Sequence, residues 1–121
     1  MQTKNRKNLQ AWKAFVRSIA QAEWPTTNIP LSEVDLRFTI VYLCDAEPAD
    51  IDNIIKPIQD ALVGLVYVDD ALITDVDSHR RYLDDIFEFS KLPKLLQDGV
   101  VTNEECVYVR VADAEKLWAY L

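Results

Sequence analysis

The stretch from Asp50 to Asp70 constrains the fold more than any other part of this chain. It reads Asp50-Ile51-Asp52-Asn53-Ile54-Ile55-Lys56-Pro57-Ile58-Gln59-Asp60-Ala61-Leu62, then Val63-Gly64-Leu65-Val66-Tyr67-Val68-Asp69-Asp70. Ile54, Ile55, Ile58, Ala61 and Leu62 recur at helical spacing, while Asp52, Lys56 and Asp60 fall four apart on the opposite side. The spacing predicts a helix over residues 53–63 with one apolar and one charged face. Asp52 or Asn53 is the expected N-cap, because a short side-chain oxygen accepts free N–H groups of the first turn. Pro57 is expected near the end of that turn, where its missing N–H costs least. Gly64 is the expected helix stop. Leu65 to Val68 reads as a short extended run, and Asp69-Asp70 as a turn.

The flanking segments supply the elements this helix can pack on. Residues 7–22 place Leu9, Trp12, Phe15, Val16 and Ile19 at helical spacing, with Lys13 and Arg17 on the other side. Residues 24–30 hold two prolines and no period, so a loop is expected. Residues 35–44 alternate, with Leu36, Phe38, Ile40, Tyr42 and Cys44 on one face. The second face turns apolar at Val41 and Leu43, as in a central strand. Ala71 to Arg81 reads as a strand that grows polar along its length. Leu83 to Leu96 reads as one or two short helices broken near Pro93, and Asp98-Gly99 as a turn. Cys106 to Val111 is a strand with Val107, Val109 and Val111 inward and Tyr108 and Arg110 outward. Asp113 is expected to cap a last short helix carrying Leu117 and Trp118. This order predicts an α+β fold, a small mixed β-sheet with packed helices, in a single domain over residues 1–121.

Charge and cysteine content narrow the function classes. The formal net charge is -7, which argues against a protein that simply coats DNA. Its distribution is uneven: Lys4, Arg6, Lys7, Lys13 and Arg17 lie in the first 22 residues with no acid among them. Cys44 and Cys106 have no CxxC neighbour and are expected to be reduced core thiols, as in a cytoplasmic protein. The N-terminal residues are polar and lack the apolar centre of a signal peptide, and no apolar run is long enough to span a bilayer.

Each acidic residue has an ordinary structural explanation taken singly. Asp50 and Asp52 suit a turn and a cap, Lys56 and Asp60 suit a helix-face ion pair, and Asp75 and Asp77 suit a solvated strand face. His79, the only histidine, lies beside Arg80 and Arg81 and reads as a surface residue. Together they demand more. Several carboxylates gathered by a fold repel one another unless a cation joins them, and a divalent metal held by carboxylates commonly handles phosphate.

The joint pattern, Asp50, Asp52, Asn53, Lys56, Asp60, Ala61, Leu62, Gly64, Asp69 and Asp70, with Asp75 beyond, resembles the RusA family of Holliday-junction endonucleases. The resemblance implies a Mg2+-dependent endodeoxyribonuclease, with Mn2+ as substitute, that acts as a homodimer on four-way branched DNA. Asp50, Asp52 and Asp70 would be metal-binding catalytic carboxylates, Lys56 the catalytic lysine, and Asp69 a supporting ligand. Lys4, Arg6, Lys7, Lys13, Arg17, Arg80 and Arg81 are the candidate DNA contacts. Family members usually carry a strand and a Pro- and Asn-containing segment ahead of the first helix. Here that helix comes almost at once, so a smaller sheet or dimer surface is expected. The stretch from Tyr82 to Asn103 is longer than the family's usual link. The rival reading is a non-catalytic RusA-like module that binds metal or nucleic acid.

Overall fold

The computed structural model describes residues 16–24, 29–45, 50–85 and 87–121. Helix α1 covers 16–23 of these, followed by strand β1 (Leu36–Cys44), helix α2 (Asp52–Ala61), strand β2 (Ile73–Tyr82), helix α3 (Lys94–Thr102) and strand β3 (Cys106–Asp113). Short 3-10 turns at Asp70–Leu72, Phe89–Lys91 and Leu117–Tyr120 punctuate the order. This is the expected α+β architecture.

The sheet has three strands in the order β2-β1-β3. β1 is central, parallel to β2 and antiparallel to β3. The parallel pairing follows from α2, which carries the chain from the end of β1 back to its start, as a crossover must. The inner face of β1 is Leu36, Phe38, Ile40, Tyr42 and Cys44, all buried. It packs with Ile54, Ile58 and Leu62 of α2 and with Tyr67, and Val107, Val109 and Val111 extend it onto β3. The period-2 and period-3.6 patterns therefore meet in one core, as the sequence predicts. β2 departs from simple pairing at its start, where Thr74 bulges between the Leu36–Ile73 and Arg37–Asp75 pairs.

Several boundaries differ from the sequence reading. α2 starts from Ile51 at the N-cap, with no side-chain cap bond, so neither Asp52 nor Asn53 caps it. Asp50 acts instead, its Oδ1 accepting the Asp52 N–H at 3.2 Å. Pro57 sits inside the helix beyond its first turn, where the loss of an N–H falls on the half-exposed side. Leu65 to Val68 is a tight turn rather than a strand. Gly64, at φ +82°, reverses the chain so that its N–H reaches the Tyr67 carbonyl at 2.7 Å. Asp98 and Gly99 lie within α3. There the missing side chain permits close packing, since a Cβ on Gly99 would stand 3.0 Å from Cys106 Sγ. Asp113 belongs to β3, and the last turn, Leu117–Tyr120, starts from Lys116 without a side-chain cap. Leu117 and Trp118 remain exposed. Cys44 and Cys106 are both free thiols. Among the described residues no helix is long and apolar enough to cross a membrane.

Candidate active site

The charged face of α2 and the Asp69-Asp70 turn meet at the surface. α2 presents its hydrophobic side to the sheet, so Lys56 and Asp60 are directed away from the core. The chain then leaves α2, turns at Gly64, and buries Val66 and Tyr67 as an anchor. The Tyr67 hydroxyl donates to the Gln59 carbonyl at 2.6 Å, tying the turn to the helix it has just left. Leu31 pairs with both sides of the same turn: its N–H reaches Val66 O at 2.9 Å, and its carbonyl accepts from Val68 N at 3.0 Å. Asp69 and Asp70 emerge next.

Lys56 joins these elements. Its ammonium pairs with Asp60 Oδ1 at 2.9 Å and also with Asp70 Oδ2. The hydrogen bonds that the Lys56 ammonium donates to Asp70, and then to Asp60, push its pKa well above the ordinary value. Lys56 is 63% exposed, so the charge faces solvent and is open to an anion. Burial drives the Tyr67 phenol upward, and the Asp70 and Asp60 charges add to the shift, marking how near that ring lies to the acidic group. Asp69 Oδ1 accepts the Ala71 N–H at 2.9 Å, capping the 3-10 turn that begins at Asp70. That backbone bond, with help from Asp70 and Lys56, holds the Asp69 carboxyl below the usual range.

The structure thus brings Lys56, Asp60 and Asp70 together and places Asp69 beside them. Asp50 and Asp52 stand at the opening of α2, linked to each other through the Asp52 N–H. The donor chemistry suits a hard divalent cation. The geometry does not complete a site for one: among the described residues no three His, Cys, Asp or Glu side chains stand close enough to share a metal ion. In the arrangement shown, the positive charge between Asp60 and Asp70 is Lys56 itself.

Of the candidate DNA contacts, Lys4, Arg6, Lys7 and Lys13 lie outside the described residues. Arg80 and Arg81 are exposed on β2. Arg17 is engaged within the fold, its Nη1 donating to the Ala61 carbonyl at 3.1 Å and the Val63 carbonyl at 2.8 Å. The sequence pattern places it on the side of α1 opposite the apolar face, as a candidate DNA contact.

A second polar cluster escaped the sequence reading. Arg37 on β1 pairs with Asp77 on β2, and Tyr120 covers the Arg37 guanidinium at 5.4 Å. The Tyr120 hydroxyl donates to Asp75 Oδ2 at 3.1 Å and accepts the Glu115 N–H at 2.8 Å. Asp75 and Asp77 are therefore held, not merely solvated. The Arg37–Asp77 pair depends on the parallel pairing of β1 with β2, which brings the two outer faces side by side. The Tyr120 contact carried no local signal, because it joins residues 45 positions apart.

Residues 2–86 match the family described as Endodeoxyribonuclease RusA. The chain belongs to the RusA family. The matched span takes in β1, α2, the Asp69-Asp70 turn and β2, and so every element that builds the Lys56 cluster. α3, β3 and the C-terminal turn lie beyond it. No curated protein and no solved structure gives a significant match.

Proposed function

We propose that this RusA-family chain is a structure-selective endodeoxyribonuclease that cuts phosphodiester bonds in four-way DNA junctions. One observation carries the reading: Lys56 is held by Asp60 and Asp70 at the meeting of α2 and the Asp-Asp turn, yet remains open to solvent. Two carboxylates fix the direction of its N–H bonds in advance. A fixed ammonium aimed at a phosphate stabilises the negative charge that grows on its oxygens as the bond breaks, without reorganising during the reaction.

The carboxylates would repel DNA unless a cation offset them, which favours a divalent ion as part of the working site. Mg2+, or Mn2+ in its place, is the proposed cofactor, with Asp50, Asp52, Asp69 and Asp70 as candidate ligands. Binding it requires these groups to draw closer than they stand. The proposed assembly is a homodimer, because two equivalent sites related by a two-fold axis match the symmetry of a four-way junction. Candidate DNA contacts are Lys4, Arg6, Lys7, Lys13, Arg80 and Arg81.

The test is single-turnover cleavage of a labelled synthetic four-way junction with Mg2+, beside a gel shift in Ca2+. Lys56→Ala should lower the cleavage rate roughly 10²–10³-fold, the usual cost of removing one such donor, and leave junction binding in place. A Lys56→Ala protein that cuts at the wild-type rate would remove Lys56 from the mechanism. The incomplete ligand set favours the rival, a binding module without catalysis. Its signature is a wild-type protein that shifts the junction and never cuts it.

A further inference from the structure

We propose that Arg17 is a positioning residue for the Asp69-Asp70 turn, acting through the C-terminus of α2 rather than on DNA. This rests on the nuclease reading only in its kinetic arm. α2 has no basic residue in its last turn, so its terminal carbonyls have no cation of their own. Helix C-termini carry unpaired carbonyl oxygens and partial negative charge. Arg17 supplies the missing charge from α1. One nitrogen of its guanidinium bonds both Ala61 O, at the end of α2, and Val63 O, at the start of the turn. Its second terminal nitrogen lies over Gly64, 3.9 Å from where a Cβ would stand.

The clamp falls at the start of the turn, where backbone bonds also run to the end of α2, from Val63 N–H to Asp60 O at 3.3 Å and from Val66 N–H to Leu62 O at 3.0 Å. The far end is tied by Leu31 to Val66 and Val68, and the middle by the Tyr67 hydroxyl to Gln59. Internally the turn closes on itself through the Gly64 N–H and Tyr67 carbonyl. Arg17 joins the helix bearing Lys56 and Asp60 to the turn bearing Asp70. The Lys56–Asp70 pair spans those same two elements. If the clamp is released, the start of the turn is held to α2 by those backbone bonds without the side-chain tie across them, and the reach from Lys56 to Asp70 changes. A displacement of about 1 Å at a reacting group can cost of order 10²-fold in rate.

The experiment compares wild type, Arg17→Met and an Asp70→Asn control by nitrogen-15 NMR of the Lys56 ammonium, which is protected from exchange while ion-paired. In Asp70→Asn the Lys56 signal should move or be lost, which assigns it to the pair. In Arg17→Met it should change in the same direction in a protein still folded by circular dichroism. Junction cleavage should fall of order 10²-fold, while junction affinity and its salt dependence stay at wild-type values. A wild-type Lys56 signal in Arg17→Met would overturn the proposal. So would weaker junction binding with a salt slope reduced by about one, the mark of a lost phosphate contact. Arg17→Lys, which keeps the charge but loses the planar fork, takes the same measurements if Arg17→Met does not fold. If the wild type fails to cut any junction, the nuclease reading fails, and the Lys56 signal still decides the role of Arg17.

Discussion

At the scale of single residues, the site is a balance between one lysine and the acids around it. Lys56 lies on the half of α2 opposite Ile54, Ile58 and Leu62, so removing it leaves the core intact. Its ion pairs are solvent-exposed, and exposed pairs contribute about 0–1 kcal/mol. Lys56→Ala should therefore fold and melt close to the wild type. The pH dependence follows from the directions of the two shifts. Lys56 has a folded pKa above its ordinary 10.5, so its contribution is complete below that value and is lost as pH rises through the folded one. Asp69 is held below its ordinary 3.8, so its contribution is complete above that value and is lost as pH falls through the folded one. In melting curves taken across pH, the small deficit of Lys56→Ala should be constant through neutral pH and close as pH rises along the alkaline limb, and that of Asp69→Asn should be constant through neutral pH and close as pH falls along the acid limb. A Lys56→Ala deficit that persists undiminished to the alkaline extreme, or an Asp69→Asn deficit that persists to the acid extreme, would contradict these pairings. Metal binding belongs to the same scale. Mg2+ at millimolar concentration should raise the melting temperature by mass action, and Asp52→Asn with Asp70→Asn should abolish that gain. Calorimetry showing no heat of binding at those concentrations would remove the metal assignment.

At the scale of elements, the packing of α3 on β3 gives the sharpest test. Gly99 lies in the interior of α3, where alanine would normally gain about 1 kcal/mol in helix propensity. Here the new Cβ would meet Cys106 Sγ at 3.0 Å, and overpacking of that kind costs about 1–3 kcal/mol. Gly99→Ala should therefore destabilise the wild type but stabilise a Cys106→Ala background, as read by urea unfolding. Equal effects in both backgrounds would show that the contact does not matter. The same helix shows what the sequence conveyed and what it hid. β1, α2 and β3 were legible because each carries a strong period, with Leu36, Phe38 and Ile40 alternating and Ile54, Ile58 and Ala61 on one helix face. Asp98-Gly99 read as a turn by its residue types, and only the approach of Cys106 explains a glycine there inside a helix. The Lys56–Asp60 pair was legible, since spacing alone set the two residues on one face of α2. The Lys56–Asp70 pair, the Arg17 clamp and the Tyr120–Asp75 bond were not, because each joins side chains brought together by tertiary packing without a local period.

At the scale of the whole molecule, a chain of net charge -7 must meet a polyanion. Long-range repulsion then opposes encounter, and binding depends on local basic groups and on any cation held by the acidic face. The proposed homodimer presents two such faces to one junction. Sedimentation at micromolar concentration should show a dimer, and a monomer there would contradict paired strand cutting. The apolar side chains exposed near the C-terminus, Leu117, Trp118 and Leu121, leave surface available for such an association. The most direct test of the central claim is single-turnover cleavage of a labelled four-way junction by wild type and Asp70→Asn side by side with Mg2+. The expected result is symmetric cuts in two opposed strands by the wild type and none by Asp70→Asn, with both proteins folded. Cleavage of equal rate by Asp70→Asn, or no cleavage by the wild type on a junction it binds, would contradict it.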